Sequence, residues 1–386
     1  MMVKLKFILV ACAFMLVSTA AYGGDNRLPE WALGGFVRPE GVNPLIRPLA
    51  GSLFLCPHKG TEVKWECADT FNPAAVVKND SVFILYRAED NPAAGIGGRT
   101  SRIGLAASYD GIHIDYRRAT PVMFPDGSRV SQTYEWSGGC EDPRVTLRPD
   151  GTYVMMYTGW NNRVPRLCVA TSADLIHWTH HGPAFLHAFN GRFKDLACKS
   201  GSVVTEVKNG KQIMARVNGK YLMYWGEEYV AAATSPDGIV WTPLCDDKGD
   251  LVHLIEPRKG HFDSMLTECG PPAVVTKDGI VLLYNAKNSG DKNKADLRYP
   301  LNTYVAGQVL FDLKNPFKVK ARLNNAFFRP MASFEKSGQY AAGTVFVEGL
   351  VYKDSQWLLY YGCADSMVGV AVYNPAAGNR NGDSVE

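Results

Sequence analysis

One short pattern occurs five times along the chain. Two apolar residues, or one and a tyrosine, precede a tyrosine at Ile84-Leu85-Tyr86, Met155-Met156-Tyr157, Leu222-Met223-Tyr224, Leu282-Leu283-Tyr284 and Leu359-Tyr360-Tyr361. The closing tyrosines are 71, 67, 60 and 77 residues apart. Each copy follows a turn signal: Lys78-Asn79-Asp80, Pro149-Asp150-Gly151, Asn218-Gly219-Lys220, Lys277-Asp278-Gly279 and Lys353-Asp354-Ser355. Another apolar run precedes each turn, as in Ala74-Ala75-Val76-Val77. Apolar run, turn and apolar run make a β-hairpin.

A second pattern follows three of the hairpins: Ala107-Ser108-Tyr109-Asp110-Gly111, Ala170-Thr171-Ser172-Ala173-Asp174 and Ala233-Thr234-Ser235-Pro236-Asp237-Gly238. It reads as strand, tight turn, strand. Each repeat then holds about four strands, and no long stretch has helical periodicity. Five four-stranded sheets predict an all-β fold, a five-bladed β-propeller. A pair of β-sandwiches is the weaker alternative, because it leaves five ordered matches to chance.

The first residues read differently. Lys4 and Lys6, the apolar run Phe7 to Val17 and the small residues Ser18-Thr19-Ala20-Ala21 predict a secretory signal peptide over residues 1–22. The rest, 23–386, is then a single propeller domain, exported and periplasmic. Leu9-Val10-Ala11-Cys12 offers a lipoprotein box as the minor alternative, with Cys12 as a surface anchor. No other segment is long and apolar enough to cross a membrane. Without the two leader lysines the charges nearly balance, 39 basic against 38 acidic, and no basic stripe appears. Nucleic acid is therefore not an expected partner. Cys56 and Cys67 are the one pair considered for a disulfide. No CxxC and no histidine pair with zinc spacing occurs, so neither metal nor other cofactor is expected.

In an antiparallel hairpin, the start of the first strand and the end of the second lie at one end. The starts hold Asn72-Pro73, Glu141-Asp142-Pro143-Arg144, Lys199-Ser200, Glu268-Cys269-Gly270-Pro271 and Glu348-Gly349. The ends hold Arg87-Ala88-Glu89-Asp90, Thr158-Gly159-Trp160, Trp225-Gly226-Glu227-Glu228, Asn285-Ala286-Lys287 and Gly362-Cys363-Ala364-Asp365. In a propeller all ten sets ring one mouth of the central channel. Carboxylates, arginine and tryptophan there suit a sugar. Glycosidic cleavage needs an acid for the leaving oxygen and a carboxylate to attack or to activate the attacking water. Asp142 is the acid candidate; Glu227 and Glu268, from other repeats, are the candidates that face it.

These residues resemble the glycoside hydrolase family that contains the β-mannoside phosphorylases, family 130. The likeness runs from about Asn72 to Tyr373, through Leu85-Tyr86-Arg87, Glu141-Asp142-Pro143-Arg144, Cys269-Gly270-Pro271-Pro272, Asp312-Leu313-Lys314-Asn315-Pro316 and Tyr360-Tyr361-Gly362-Cys363-Ala364-Asp365. The resemblance implies a five-bladed propeller and inversion at a β-mannoside. It implies Asp142 as proton donor, relaying through the sugar's own 3-hydroxyl, and Arg87 and Asp365 as mannose-holding groups. Asn72, Arg99, Lys199 and Asn285 complete the expected substrate-binding set.

The chain departs from the phosphorylases where they carry cations for phosphate. It has Trp225-Gly226-Glu227 in place of His-Arg-Pro, Leu266-Thr267-Glu268 in place of a lysine, and Tyr284-Asn285-Ala286 in place of Tyr-His-Gly. Carboxylates repel a phosphate dianion and activate water instead. The exported relatives with these changes resemble β-1,2-mannosidases. The expected activity is accordingly an inverting β-1,2-mannosidase with Glu227 and Glu268 as the base pair, acting on manno-oligosaccharides. Three alternatives stay open: a phosphorylase of the same family, holding phosphate through Lys199, Arg99 or Arg144; a non-catalytic glycan-binding propeller; and an enzyme of the arabinanase or sialidase propellers.

Overall fold

The computed structural model describes residues 27–95 and 98–377. The expected leader and Cys12 lie outside the described residues. Nearly all regular structure is strand, and no helix among the described residues is long and apolar enough to cross a membrane.

The strands form a propeller of antiparallel groups. The first group runs Asp69–Lys78, Ser81–Glu89, Ser101–Ser108 and Tyr116–Arg117. The second runs Gly139–Leu147, Tyr153–Trp160, Pro165–Ser172 and Thr179–Pro183. The third runs Gly201–Lys208, Lys220–Trp225, Ala231–Ser235 and Thr242–Pro243. In the fourth, Leu266–Cys269 and Ala273–Thr276 together pair with Gly279–Lys287, followed by Tyr304–Phe311 and Val319–Arg322. The fifth runs Val345–Lys353, Gln356–Cys363 and Met367–Tyr373. Its outer edge is covered by the N-terminal segment, through bridges from Val37 to Val372 and from Ile46 to Val368. Val345–Lys353 also packs against Asp69–Lys78. The ring thus closes on itself, and the last sheet is not left with an open edge.

Alternating strand residues fill the wedges between sheets. Val76 and Leu85 of the first group meet Val145 and Met155 of the second. Ala75, Val82 and Ile84 meet Val351, Leu358 and Tyr360 of the last. Similar clusters fill the other three wedges. Each buried Val or Leu contributes about 1.5–3 kcal/mol relative to exposure.

The five repeated tyrosines are fully buried. A buried phenol needs a partner for its O–H. Tyr86 donates to Glu66 at 2.8 Å, Tyr157 to Glu135 at 2.6 Å, Tyr284 to Asp263 at 2.8 Å and Tyr361 to Glu335 at 2.8 Å. Tyr224 instead donates to the Pro316 carbonyl at 2.8 Å. Each buried carboxylate comes from the loop that leads into its sheet, so these pins fasten loops to blades.

Cys56 and Cys67 are not bridged, contrary to the pairing considered. Cys56 is buried beneath Arg102, whose Nη2 lies 3.6 Å from its Sγ.

Candidate active site

The innermost strands do not run straight into the channel mouth. The ladder slips between Phe71 and Pro73, between Glu141 and Arg144, and between Val347 and Gly349. The residues left out of register are Asn72, Asp142 with Pro143, and Glu348. A bulge bends its strand and re-aims the extra side chain. Asn72 and Asp142 take φ of 45° and 49°, and Ser200 in the third group takes 59°. Such left-handed backbone costs a non-glycine residue on the order of 1–3 kcal/mol. Asn and Asp tolerate it better than most residues.

At this mouth lies a cavity of about 260 Å³, lined by Asn72, Arg87, Asp142, Lys199, Glu227, Glu268 and Asp365 among others. Seven of the nine expected site residues therefore meet in one place, from all five groups of strands.

Arg87 is the hub of one side. Its Nη1 donates to Asp142 Oδ1 at 3.0 Å, and its Nη2 to Glu89 Oε1 at 2.6 Å and Glu141 Oε1 at 2.9 Å. Its Nε reaches Ser101 Oγ at 3.1 Å, and its guanidinium sits 4.7 Å from the Phe71 ring centroid. The expected sugar-holding arginine thus spends its donors on aligning three carboxylates. Asn72 Nδ2 donates to the same Asp142 Oδ1 at 2.9 Å. Both contacts use Oδ1, which leaves Oδ2 for a substrate hydroxyl.

Burial raises the Asp142 carboxyl, but the charges of Arg87, Lys199 and Arg144 and the bond from Asn72 outweigh it and hold it below the usual carboxylate range. Its neighbour Glu141 is pushed up to about 7 by burial, against the pull of Arg87. Of this pair, Glu141 therefore takes up a proton more readily than Asp142. Asp365 is likewise pushed up to about 7 by burial.

Across the cavity, Ser200 Oγ donates to Glu268 Oε1 at 2.5 Å. Burial, with the charge of Glu227 added, pushes Glu268 up to about 8. Lys199 Nζ lies 3.3 Å from Glu227 Oε1. Burial lowers the Lys199 ammonium, yet the charges of Glu227, Glu268, Asp142 and Glu141 outweigh that and keep it protonated. Lys199 thus stands between the two sets of acids.

Two expected site residues are corrected. Asn285 does not line the cavity. It is fully buried, donating from Nδ2 to the Val347 carbonyl at 3.0 Å and accepting the Val347 N–H at 2.7 Å. It staples the fourth group to the fifth. Asn285→Ala is expected to leave both Val347 groups unpaired, each costing about 1–3 kcal/mol. Thermal unfolding should show a Tm lowered by several degrees; an unshifted Tm would contradict the staple. Arg99 is the second correction: it lies behind the cavity wall, pairing with Asp69 and with Glu89 Oε2 at 3.0 Å. Arg144 is also unavailable to phosphate. It bonds the carbonyls of Asp142, Cys269 and Gly270 at 2.9–3.1 Å and pairs with Glu348 at 2.6 Å, tying the Asp142 bulge across the channel.

The cavity also holds residues outside the expected set: Glu89, Glu141, Trp160, Tyr304, Tyr340 and Phe346. Glu89, Glu141 and Trp160 were visible as rim positions. Tyr304 and Tyr340 lie outside the hairpins, where the repeat carries no signal.

A family model described as beta-1,4-mannooligosaccharide phosphorylase, of glycoside hydrolase family 130, matches residues 57–375. A 1,2-beta-oligomannan phosphorylase of Thermoanaerobacter sp. (strain X514) is 35% identical over 318 residues, which are 81% of this chain and 92% of that protein. One solved structure is 56% identical with a TM-score of 0.88, covering 90% of this chain and 96% of that chain. It is described with the statement that the family of mannoside phosphorylases contains glycoside hydrolases that target beta-1,2 mannosidic linkages in Candida mannan. A glycosyl hydrolase from Bacteroides ovatus is 57% identical with a TM-score of 0.88, covering 91% of this chain and 97% of that chain. Matched over most of its length by the family model and by a relative above 30% identity, the chain belongs to glycoside hydrolase family 130.

Proposed function

We propose that the protein is a β-mannoside phosphorylase that transfers mannose from β-1,2-linked oligosaccharides to inorganic phosphate. The observation that carries this reading is the match, over 81% of the chain, to a 1,2-beta-oligomannan phosphorylase. A second curated relative, 28% identical, is a beta-1,2-mannobiose phosphorylase. These relatives overturn the mannosidase expected from Glu227 and Glu268. That expectation treated both acids as charged and repulsive to phosphate, whereas Glu268 at about 8 carries a proton at neutral pH.

The cavity is still rich in acid: six carboxylates and two cations line it. Phosphate must therefore enter with a proton in place on Glu268. Lys199 is the cation that receives it, with the Ser200 hydroxyl beside it. A dianion there cancels the pull of Lys199 on Asp142, and a nearby negative charge raises a carboxyl's pKa. Acceptor binding thereby readies Asp142 to hold the proton it must give. Asp142 protonates the departing glycosidic oxygen as a phosphate oxygen attacks the anomeric carbon from the opposite face. The C–O bond to the leaving sugar breaks, and α-mannose 1-phosphate forms.

The test is a linkage panel. β-1,2-, β-1,3- and β-1,4-mannobiose are incubated with phosphate, and products are identified by NMR. The expected result is α-mannose 1-phosphate from the β-1,2 disaccharide, with the other two slower. Equal turnover of all three linkages would overturn the linkage, and β-mannose 1-phosphate would overturn the single displacement.

A further inference from the structure

The buried tyrosine pins differ in one respect. In three of the four pins that end on a carboxylate, an arginine holds it: Arg117 on Glu66 at 2.5 Å, Arg322 on Asp263 at 2.6 Å and Arg38 on Glu335 at 2.7 Å. In the fourth, His180 Nδ1 holds Glu135 Oε1 at 2.7 Å. Register makes the positions equivalent. Arg117 pairs with Ala106, itself opposite Ile84, two residues before Tyr86. Arg322 pairs with Val309, opposite Leu282, two before Tyr284. His180 pairs with Ala170, opposite Met155, two before Tyr157. Histidine thus stands in the outer strand where two sister sheets place arginine, a cation that keeps its charge at every accessible pH.

This pin also leads directly into the strand that carries Glu141 and Asp142. Glu135 caps the helix Arg129–Tyr134 and is fully buried. Its carbonyl accepts the Gly139 N–H at 2.6 Å, and the strand that starts at Gly139 carries Glu141 and Asp142. Gly139 lies close against the Ser101 backbone and leaves no room for a side chain. A Cβ there would lie 2.0 Å from the Ser101 carbonyl oxygen, and the Ser101 Oγ bonds Glu141 Oε1 at 3.1 Å.

We propose that His180 is a positioning residue for Asp142: its imidazolium holds Glu135, and through it the turn into the Glu141–Asp142 bulge, so that this strand is fully docked only while His180 is charged. A neutral imidazole still donates one hydrogen bond, but it removes the positive partner from a buried carboxyl group, which is costly.

The surroundings leave His180 as the group that titrates here. Burial lowers it, yet the bond and charge of Glu135 and the charge of Asp126 outweigh burial and hold it above the ordinary 6.5. Burial holds His181 below 6.5, with the charge of His180 adding to the effect, and its Nε2 bonds Thr171 Oγ1 at 2.8 Å. Asp126 is held below the usual carboxylate range, burial being outweighed by bonds from Ser128. Burial pushes Tyr157 and the Cys140 and Cys168 thiols far up. A raised folded-state pKa gives a contribution that is complete below 6.5 and is lost as pH rises through the raised value.

The inference rests on the proposed cleavage of β-mannosides for its kinetic readout only. In the full chain, kcat at saturating mannoside and phosphate is followed from acid to alkaline pH for wild type, His180→Arg and His180→Gln. All three share the ionisations of Glu141 and Glu268, so the ratio to wild type isolates His180. The His180→Arg ratio should rise with pH, because arginine keeps the charge. His180→Gln should be slower at acid pH by about tenfold or more, the scale of a small misplacement of reacting groups, and should converge on wild type at alkaline pH. A pH-independent ratio for both variants would overturn the proposal. Two wild-type measurements stand apart from activity and from the folding of either variant. Imidazole NMR should show His180 titrating above 6.5, and the protection of amides 136–141 against exchange, corrected for the intrinsic base catalysis of exchange, should fall over the same range. His180 neutral throughout, or a protection that stays constant with pH, would overturn the proposal even if water, not phosphate, proves to be the acceptor.

Discussion

Asp142→Asn is expected to lower turnover of a natural mannobiose by 10²–10⁴-fold, the usual worth of a general acid. The exchange suits the fold: asparagine tolerates the left-handed backbone at this bulge, and its carbonyl still accepts from Asn72 and Arg87. A Tm close to wild type is therefore expected. The chemical signature is selective. A mannoside with a nitrophenolate leaving group needs no proton, so its cleavage should fall far less than that of mannobiose. Equal losses on both substrates would mean that Asp142 positions the sugar without protonating it. Near wild-type turnover of mannobiose would remove it from the mechanism.

The second large effect is expected at Lys199. Two unit charges about 4 Å apart interact by about 4 kcal/mol at the effective dielectric of a protein surface. Partial exposure of the Lys199 side chain and rearrangement of Glu227 reduce that figure. Lys199→Met should raise KM for phosphate by about tenfold to a hundredfold, with a smaller change in KM for the mannoside. KM for phosphate should also rise with pH in the wild type. Glu268 is protonated below about 8 and charged above it, so its repulsion of the dianion appears on the alkaline side. An unchanged KM for phosphate in Lys199→Met would place the acceptor elsewhere.

The ring of sheets was legible because its signal is local and repeated. An apolar pair before a tyrosine, after a turn, marks the second strand of a sheet wherever it occurs, and all five copies lie on such strands. The rim was legible for the same reason: hairpin geometry alone puts Asn72, Arg87, Asp142, Lys199, Glu227, Glu268 and Asp365 at one end. What failed was direction within the rim. Asn285 follows its tyrosine just as Arg87 follows Tyr86, yet it turns into the seam between sheets to satisfy Val347. Arg99 and Arg144 are cations near the mouth whose donors are taken by Glu89, Asp69 and backbone carbonyls. Nothing in a single sequence shows which partner an arginine will find.

The carboxylates under the tyrosines were missed for a related reason. Glu66, Glu135, Asp263 and Glu335 sit 20, 22, 21 and 26 residues before their tyrosines, in connecting loops where an acid ordinarily meets water. Each is buried because a tyrosine and a cation from distant positions converge on it. The acceptor was misread through charge counting. Two glutamates in place of cations looked repulsive to phosphate, but formal charge is not the charge held in a buried site. Burial and the charge of Glu227 leave Glu268 protonated near neutrality.

Isotope transfer distinguishes phosphate from water as the acceptor. β-1,2-mannobiose is cleaved in ¹⁸O-labelled water with millimolar inorganic phosphate, while ³¹P NMR follows phosphate and mass spectrometry follows the sugar. The expected result is one phosphate consumed for each bond cleaved, α-mannose 1-phosphate as product, and no ¹⁸O at the anomeric carbon. Mannose bearing ¹⁸O, released at the same rate with phosphate omitted and with none consumed when present, would contradict it.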